Sequence, residues 1–197
     1  MSSRDAILTR LRPHARASEL PAIPAGITYD DPIVQYGAAL GAVSGTCHVV
    51  SDRAAAHAAL GQVEAYASAA KRASLVTGVG ETNFDLASVS DPHNLQDVDF
   101  AVMPGQLAVA ENGAVWVNDI DVPHRVLYFL SQHLALVVPK ANVVHNLHEA
   151  YARLPVGKTP FGTFISGPSK TADIEQALVI GAHGARSLTV FLVDHDA

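Results

Sequence analysis

Apolar positions follow two rhythms along the chain, a helical spacing and short continuous runs, and their alternation predicts its layers. Ser2-x-x-Asp5 followed by Ile7, Leu8 and Leu11 has the spacing of a short amphipathic helix with a capping box, ended by Pro13. From residue 13 to residue 30, Pro13, Pro21, Pro24 and Gly26 break any apolar period, so an extended arm over the surface is expected. Asp30-Asp31-Pro32 caps a second helix in which Ile33, Tyr36 and Leu40 share a face, closed by Gly45. Residues 46–50 read as a short buried strand. An alanine-rich helix then runs from Ser51 or Asp52 to about Lys71, with Gly61 as its only weak point. Residues 74–77 form the next strand, ended by Gly78-Val79-Gly80.

Helix and strand in alternation signal an α/β sheet with mostly parallel pairing. Residues 97–102 are either a strand or a short helix. Residues 106–110 and 113–117 are two strands joined at Glu111-Asn112, where Asn112-Gly113 supports a tight reversal. Residues 134–138 are a wholly apolar strand closed by Pro139, and Asn142 can cap a helix to about Arg153, with Val143, Leu147 and Tyr151 on one face. Residues 161–165, 178–180 and 188–193 supply the last strands. Periodicity therefore predicts a three-layer α/β domain with a mixed sheet.

The stretch with most chemistry is Ser166-Gly167-Pro168-Ser169-Lys170-Thr171-Ala172-Asp173-Ile174-Glu175, between two apolar runs. A loop leaving a strand with small residues and hydroxyls brings backbone N–H groups, Ser and Thr hydroxyls and an ammonium to one anionic group. It lacks the spacing of a nucleotide-binding P-loop. The plainer reading is a tight connection whose Ser169, Thr171 and Asp173 satisfy local amides. Asp173 and Glu175, two apart, share a face only on a strand.

Gly167-Pro168-Ser169-Lys170-Thr171-Ala172-Asp173-Ile174-Glu175, with Leu178-Val179 and Gly181-Ala182-His183-Gly184 after it, resembles the C-terminal signature of the lactate utilization protein C family, the LUD-domain proteins. That family usually shows arginine where Lys170 stands, so a planar bidentate contact becomes a point-charge contact. The resemblance implies one LUD-type domain over residues 30–197, preceded by a helix and arm over 1–29. It implies a fold similar to the NagB/RpiA/CoA-transferase-like superfamily. It also implies that Gly167, Ser169, Lys170, Thr171, Asp173, Glu175 and His183 bind a small carboxylate or phosphate, in a cleft at strand ends.

Glu111-Asn112-Gly113 is similar to the corner of class I CoA-transferases whose glutamate is the nucleophile, which makes Glu111 the candidate catalytic residue. Its plainer role is to cap a strand end beside a turn. His145 and His148, at helical spacing, have no third ligand in a matching pattern, so no metal site is expected. Trp116, Tyr36, Tyr128 and Phe129 read as core.

Composition narrows the roles further. Apolar residues at 49% and charged residues at 16% suit a packed globule, and a net charge of −6 gives no reason to expect nucleic acid or an anionic membrane as partner. No apolar run reaches the length that spans a bilayer, and residues 1–5 lack the apolar core of a signal peptide, so a cytoplasmic location is expected. One cysteine, Cys47, cannot ligate an iron–sulfur cluster, and no cofactor is expected on this chain alone. The resemblance implies a non-redox subunit of a system that oxidises L-lactate to pyruvate, with the iron–sulfur clusters on partner proteins. A free-standing CoA-transferase-like or sugar-phosphate enzyme using Glu111, and a non-catalytic anion-binding module, remain open beside it, as does association with further copies of the chain.

Overall fold

The computed structural model describes residues 2–14, 25–154, 157, 159–174 and 177–195. Helix α1 (Ser3–Leu11) starts at Ser2, whose hydroxyl accepts the Asp5 N–H while the Asp5 carboxylate accepts the Ser2 N–H. Helix α2 (Pro32–Ala42) starts at Asp31, which accepts the N–H groups of Ile33 and Val34. The chain continues through β1 (Thr46–Asp52), α3 (Arg53–Leu60), α4 (Glu64–Ala67), β2 (Arg72–Ser74) and β3 (Phe100–Pro104). Strands β4 (Leu107–Val109) and β5 (Ala114–Asn118), helix α5 (Leu127–Leu130) and strands β6 (His133–Pro139) and β7 (Val143–Val144) follow. The last elements are α6 (Leu147–Arg153), β8 (Gly162–Ile165), β9 (Lys170–Ile174), β10 (Ala177–Ile180) and β11 (Ser187–His195).

Strands β1, β11, β6, β3 and β2 lie in that order in one sheet, with every pairing parallel. A parallel sheet is buried on both faces, which is why β6 and β11 carry near-continuous apolar runs. Leu134, Leu136 and Val138 of β6, with Leu188, Val190 and Leu192 of β11, pack against Tyr36 and Leu40 of α2 and against β4 and β5. The alternate residues Ala135, Val137, Phe191 and Val193, with Phe100 and Val102 of β3, meet Ala56 and Leu60 of α3 and Tyr66 of α4 on the other face. A second sheet, ordered β7-β4-β5-β8, lies on the α2 side, and α6 covers its outer face through Ala150 over Leu107, Val109 and Trp116. The result is the three-layer α/β arrangement with mixed pairing. β9 and β10 form a separate antiparallel hairpin.

Four elements differ from the sequence expectation, the first being the strand placed at residues 74–77, which is β2 and ends at Ser74. The alanine-rich helix stops at Leu60, Gly61 forms its cap, and Val63 takes extended backbone before α4 restarts. The break lets both Leu60 and Tyr66 reach the sheet, where Tyr66 meets Phe100 edge-on at 5.2 Å. Asn142 caps no helix: its amide donates to the Gln106 carbonyl, and Val143–Val144 pair with Ala108 and Val109. The cap is Asn146, which accepts the Glu149 N–H. Residues 97–102 resolve into a strand that begins at Phe100, and residues 170–174, taken as loop, are β9.

The expected arm falls largely outside the described residues. Its described end docks on the start of α6, where Asn146 donates to the Ile27 carbonyl and His145 Nδ1 accepts the Tyr29 N–H.

Candidate functional site

Strand β8 delivers the chain into the 166–170 loop, and each turn of that loop is fixed by a contact with another element. The Ser166 hydroxyl donates to the Asn112 carbonyl at 2.8 Å, tying the loop to the β4–β5 corner. Gly167 has φ +71° and stands against the end of α2, where a Cβ would lie 2.3 Å from the Val43 carbonyl oxygen. Only glycine fits there. The Lys170 ammonium donates to that same carbonyl. A cation at a helix C-terminus meets both an unpaired carbonyl and the negative end of the dipole.

The far wall is the 181–185 turn. Ser169 donates its N–H to the Ala185 carbonyl at 2.8 Å and accepts the Gly181 N–H at 2.9 Å. Thr171 Oγ1 lies 3.4 Å from His183 Nδ1. Gly167, Ser169, Lys170 and His183 thus line one cavity of about 320 Å³, completed by Phe129 of α5 and by Leu134 and Leu188 at the amino ends of β6 and β11. Thr171 stands beside it through His183. Asp173 lies on β9, but its side chain, like Glu175 altogether, falls outside the described residues.

Glu111 sits elsewhere. Its carboxylate accepts the Leu147 N–H at 3.0 Å, at the first turn of α6, and it does not line the cavity. Asn112 accepts the Ala114 N–H and Gly113 has φ +66°, so the corner is a tight reversal. The two histidines expected on one helix are divided, with His145 before α6 and His148 within it. Among the described residues no three His, Cys, Asp or Glu side chains converge to hold a metal ion. Cys47 does not fit a cluster ligand either: burial pushes its thiol up to about 11, so the ligating thiolate is disfavoured.

A second cavity, of about 480 Å³, was not foreseen. It opens at the same end of the parallel sheet but on the α4 side, lined by Asp97, Asp99, Gln132, His133 and Arg186. The available signal was a polar residue just ahead of each apolar strand, His133 before Leu134 and Ser187 before Leu188. His133 Nδ1 lies 2.8 Å from Ser187 Oγ. Desolvation holds the His133 imidazole below its ordinary range, Arg186 adds to this, and Asp99 opposes it. As pH drops through the ordinary histidine value of about 6.5 the unfolded chain therefore binds a proton before the folded one does, and stability is lost as pH decreases. His133→Gln is expected to flatten the loss of stability on going from pH 7.5 to pH 5.5, read from urea midpoints. An unchanged slope contradicts this.

Residues 91–193, just over half of the chain, match the family model described as the LUD domain. The chain belongs to the LUD-domain family. All the cavity residues lie within the matched part, whereas Val43, which accepts from Lys170, lies before it. The LUD chain is 31% identical over 103 residues to the lactate utilization protein C of Bacillus pumilus, covering 49% of this chain and 43% of that one. It is 28% identical over 123 residues to that of Geobacillus thermodenitrificans, covering 59% and 48%. It spans about half the length of the curated relatives it matches. Among solved structures, a DUF162 family protein from Deinococcus radiodurans superposes with a TM-score of 0.60 at 18% identity, over 82% of this chain and 96% of that one. That likeness shows the fold. Among the described residues no helix is long and apolar enough to cross a membrane.

Proposed function

We propose that this LUD chain serves lactate utilization as a cytoplasmic, non-redox subunit that binds a small carboxylate in the 320 Å³ cavity, while iron–sulfur clusters reside on partner proteins. The observation that carries the reading is that the segment matching the LUD domain builds the cavity, in a chain similar to lactate utilization protein C relatives. The Lys170 ammonium has donors beyond the one given to Val43, and the Ser169 hydroxyl stands next to it in the wall. Together they offer a carboxylate one charge-assisted and one neutral hydrogen bond. His183, held by Thr171, is placed to contact a hydroxyl or keto oxygen next to that carboxylate. With Cys47 its one cysteine, this reading assigns the cluster thiolates to other chains.

The test is calorimetric titration with L-lactate and pyruvate. Lys170→Ala is expected to weaken binding by ~1.5–3 kcal/mol, the range of a hydrogen bond to a charged group. It also removes the cation from the end of α2, at a cost of about 1 kcal/mol in stability. Lys170→Arg is expected to keep both. Equal binding by native protein and Lys170→Ala would remove the cavity from the reading.

A further inference from the structure

The two outer edges of the parallel sheet are finished differently. At one end β2 is three residues long, and Thr82 and Asn83 lie along it. Arg72 donates its N–H to Asn83 Oδ1 and accepts the Asn83 N–H, while Ser74 donates its N–H to Thr82 Oγ1 and accepts that hydroxyl in return. At the other end β1 spans Thr46–Asp52 and pairs on one side with β11. Among the described residues nothing hydrogen-bonds the outward backbone groups of residues 46–51. An open edge is normally guarded by a charge, a proline or a bulge. Residues 46–51 carry neither charge nor proline, and the whole of residues 32–51, which make α2 and this edge, holds no Asp, Glu, Lys or Arg in a chain of net charge −6.

The helix beside that edge shows an apolar outer face as well. α2 runs back along β1, since a Cβ on Gly45 would lie 2.4 Å from Leu40 Cδ1 and one on Gly37 would lie 3.9 Å from Cys47 Cβ. Two further residues of strand, about 6.6 Å, match three or four of helix, about 4.5–6 Å, which brings Val34 beside Val49. Val34 is 68% exposed, and Val49, on the same face of β1 as Cys47, is 54% exposed. We infer that the β1 edge is an interface between two copies of this chain, paired antiparallel so that two five-stranded sheets become one, with Val34 and Val49 closing on their counterparts. A twofold axis normal to the sheet makes β1 antiparallel to its copy and keeps both α2 helices on one side. With the axis at the middle of Thr46–Asp52, Val49 meets its own copy. An isologous contact of this kind sets residues near themselves, where any charge would face a like charge. A charge-free stretch is what it requires.

The experiment is sedimentation velocity of the full chain across the micromolar range, with amide hydrogen exchange read in parallel. A species of twice 20.7 kDa is expected, and exchange over residues 46–51 should slow as it forms. Val49→Lys sets two ammonium groups together and is expected to raise the dimer Kd at least about tenfold, while a lysine suits a free edge and leaves the monomer folded. Val34→Lys, on the exposed face of α2, tests the same contact should the strand variant fold poorly. Ile180→Lys, at a position 46% exposed on β10, is the control and should leave the mass unchanged. A chain that stays monomeric at every concentration overturns the inference. Protected 46–51 amides would then mean that another segment of the same chain lies on the edge, and unprotected ones that the edge stays bare. A dimer that survives both valine-to-lysine substitutions also overturns it, because its interface lies elsewhere.

Discussion

Gly113→Ala is expected to lower folding stability by about 3 kcal/mol, enough to unfold a large fraction of a marginally stable domain at 37 °C. Two costs add. Gly113 has φ +66°, and an L-residue held in the left-handed region loses about 1–2 kcal/mol. The added Cβ also has nowhere to go, because it would lie 2.6 Å from the Leu40 nitrogen and 2.7 Å from the Leu40 Cα. Those are backbone atoms of α2, and Leu40 is itself fully buried, so relief requires shifting the helix. Such overpacking costs another 1–3 kcal/mol or so. The control is Gly41→Ala on the same helix, where no atom lies within 4 Å of the new Cβ. It should stabilise by about 0.5–1 kcal/mol, since alanine is the better helix former. Urea denaturation of the two variants reads both signs, and a Gly113→Ala protein as stable as the native one would show that the corner yields.

Phe100→Ala is expected to cost about 3–5 kcal/mol, the range for emptying a fully buried aromatic site. Phe100 is 0% exposed, meets Tyr66 edge-on, and stacks on the His133 ring at 6.1 Å. Its neighbours come from α4 and two strands of the parallel sheet, which cannot close together over the gap. Phe100→Leu keeps most of the volume and should cost less than half as much. A similar loss for both would mean that the aromatic contacts, and not the filled volume, dominate.

What the sequence disclosed follows the range of the interactions involved. The caps at Ser2 and Asp31 depend on residues two or three positions away, and both could be read directly. The apolar run of β6 and the Glu111-Asn112-Gly113 reversal are equally local. The break after Leu60 was hidden because alanine favours helix on both sides of Gly61, which alone costs only about 1 kcal/mol. What decides it is the fit of Tyr66 against Phe100, a tertiary contact. Asn142 and Asn146 are both acceptable caps, and the choice falls to the pairing of Val143–Val144 with β4. In the site, the motif indicated Lys170 and His183 as near one another, but not that the ammonium would rest on the end of α2. The second cavity draws Asp99, His133 and Arg186 from separate segments, and no spacing announces it.

The end of α2 gives the family boundary a different meaning. Residues 39–43 stand against both glycine corners and hold Lys170, yet they precede the segment that matches the family. The same holds for β1 and β2, the two outermost strands of the parallel sheet, and for the helices over its second face. A fragment cut at residues 91 and 193 would keep β3, β6 and β11 but leave β3 and β11 as bare edges, with one apolar face uncovered. Unprotected edges of that kind pair with other chains. The stretch that matches the family model therefore holds the candidate site but not the strands and helices that close the parallel sheet around it.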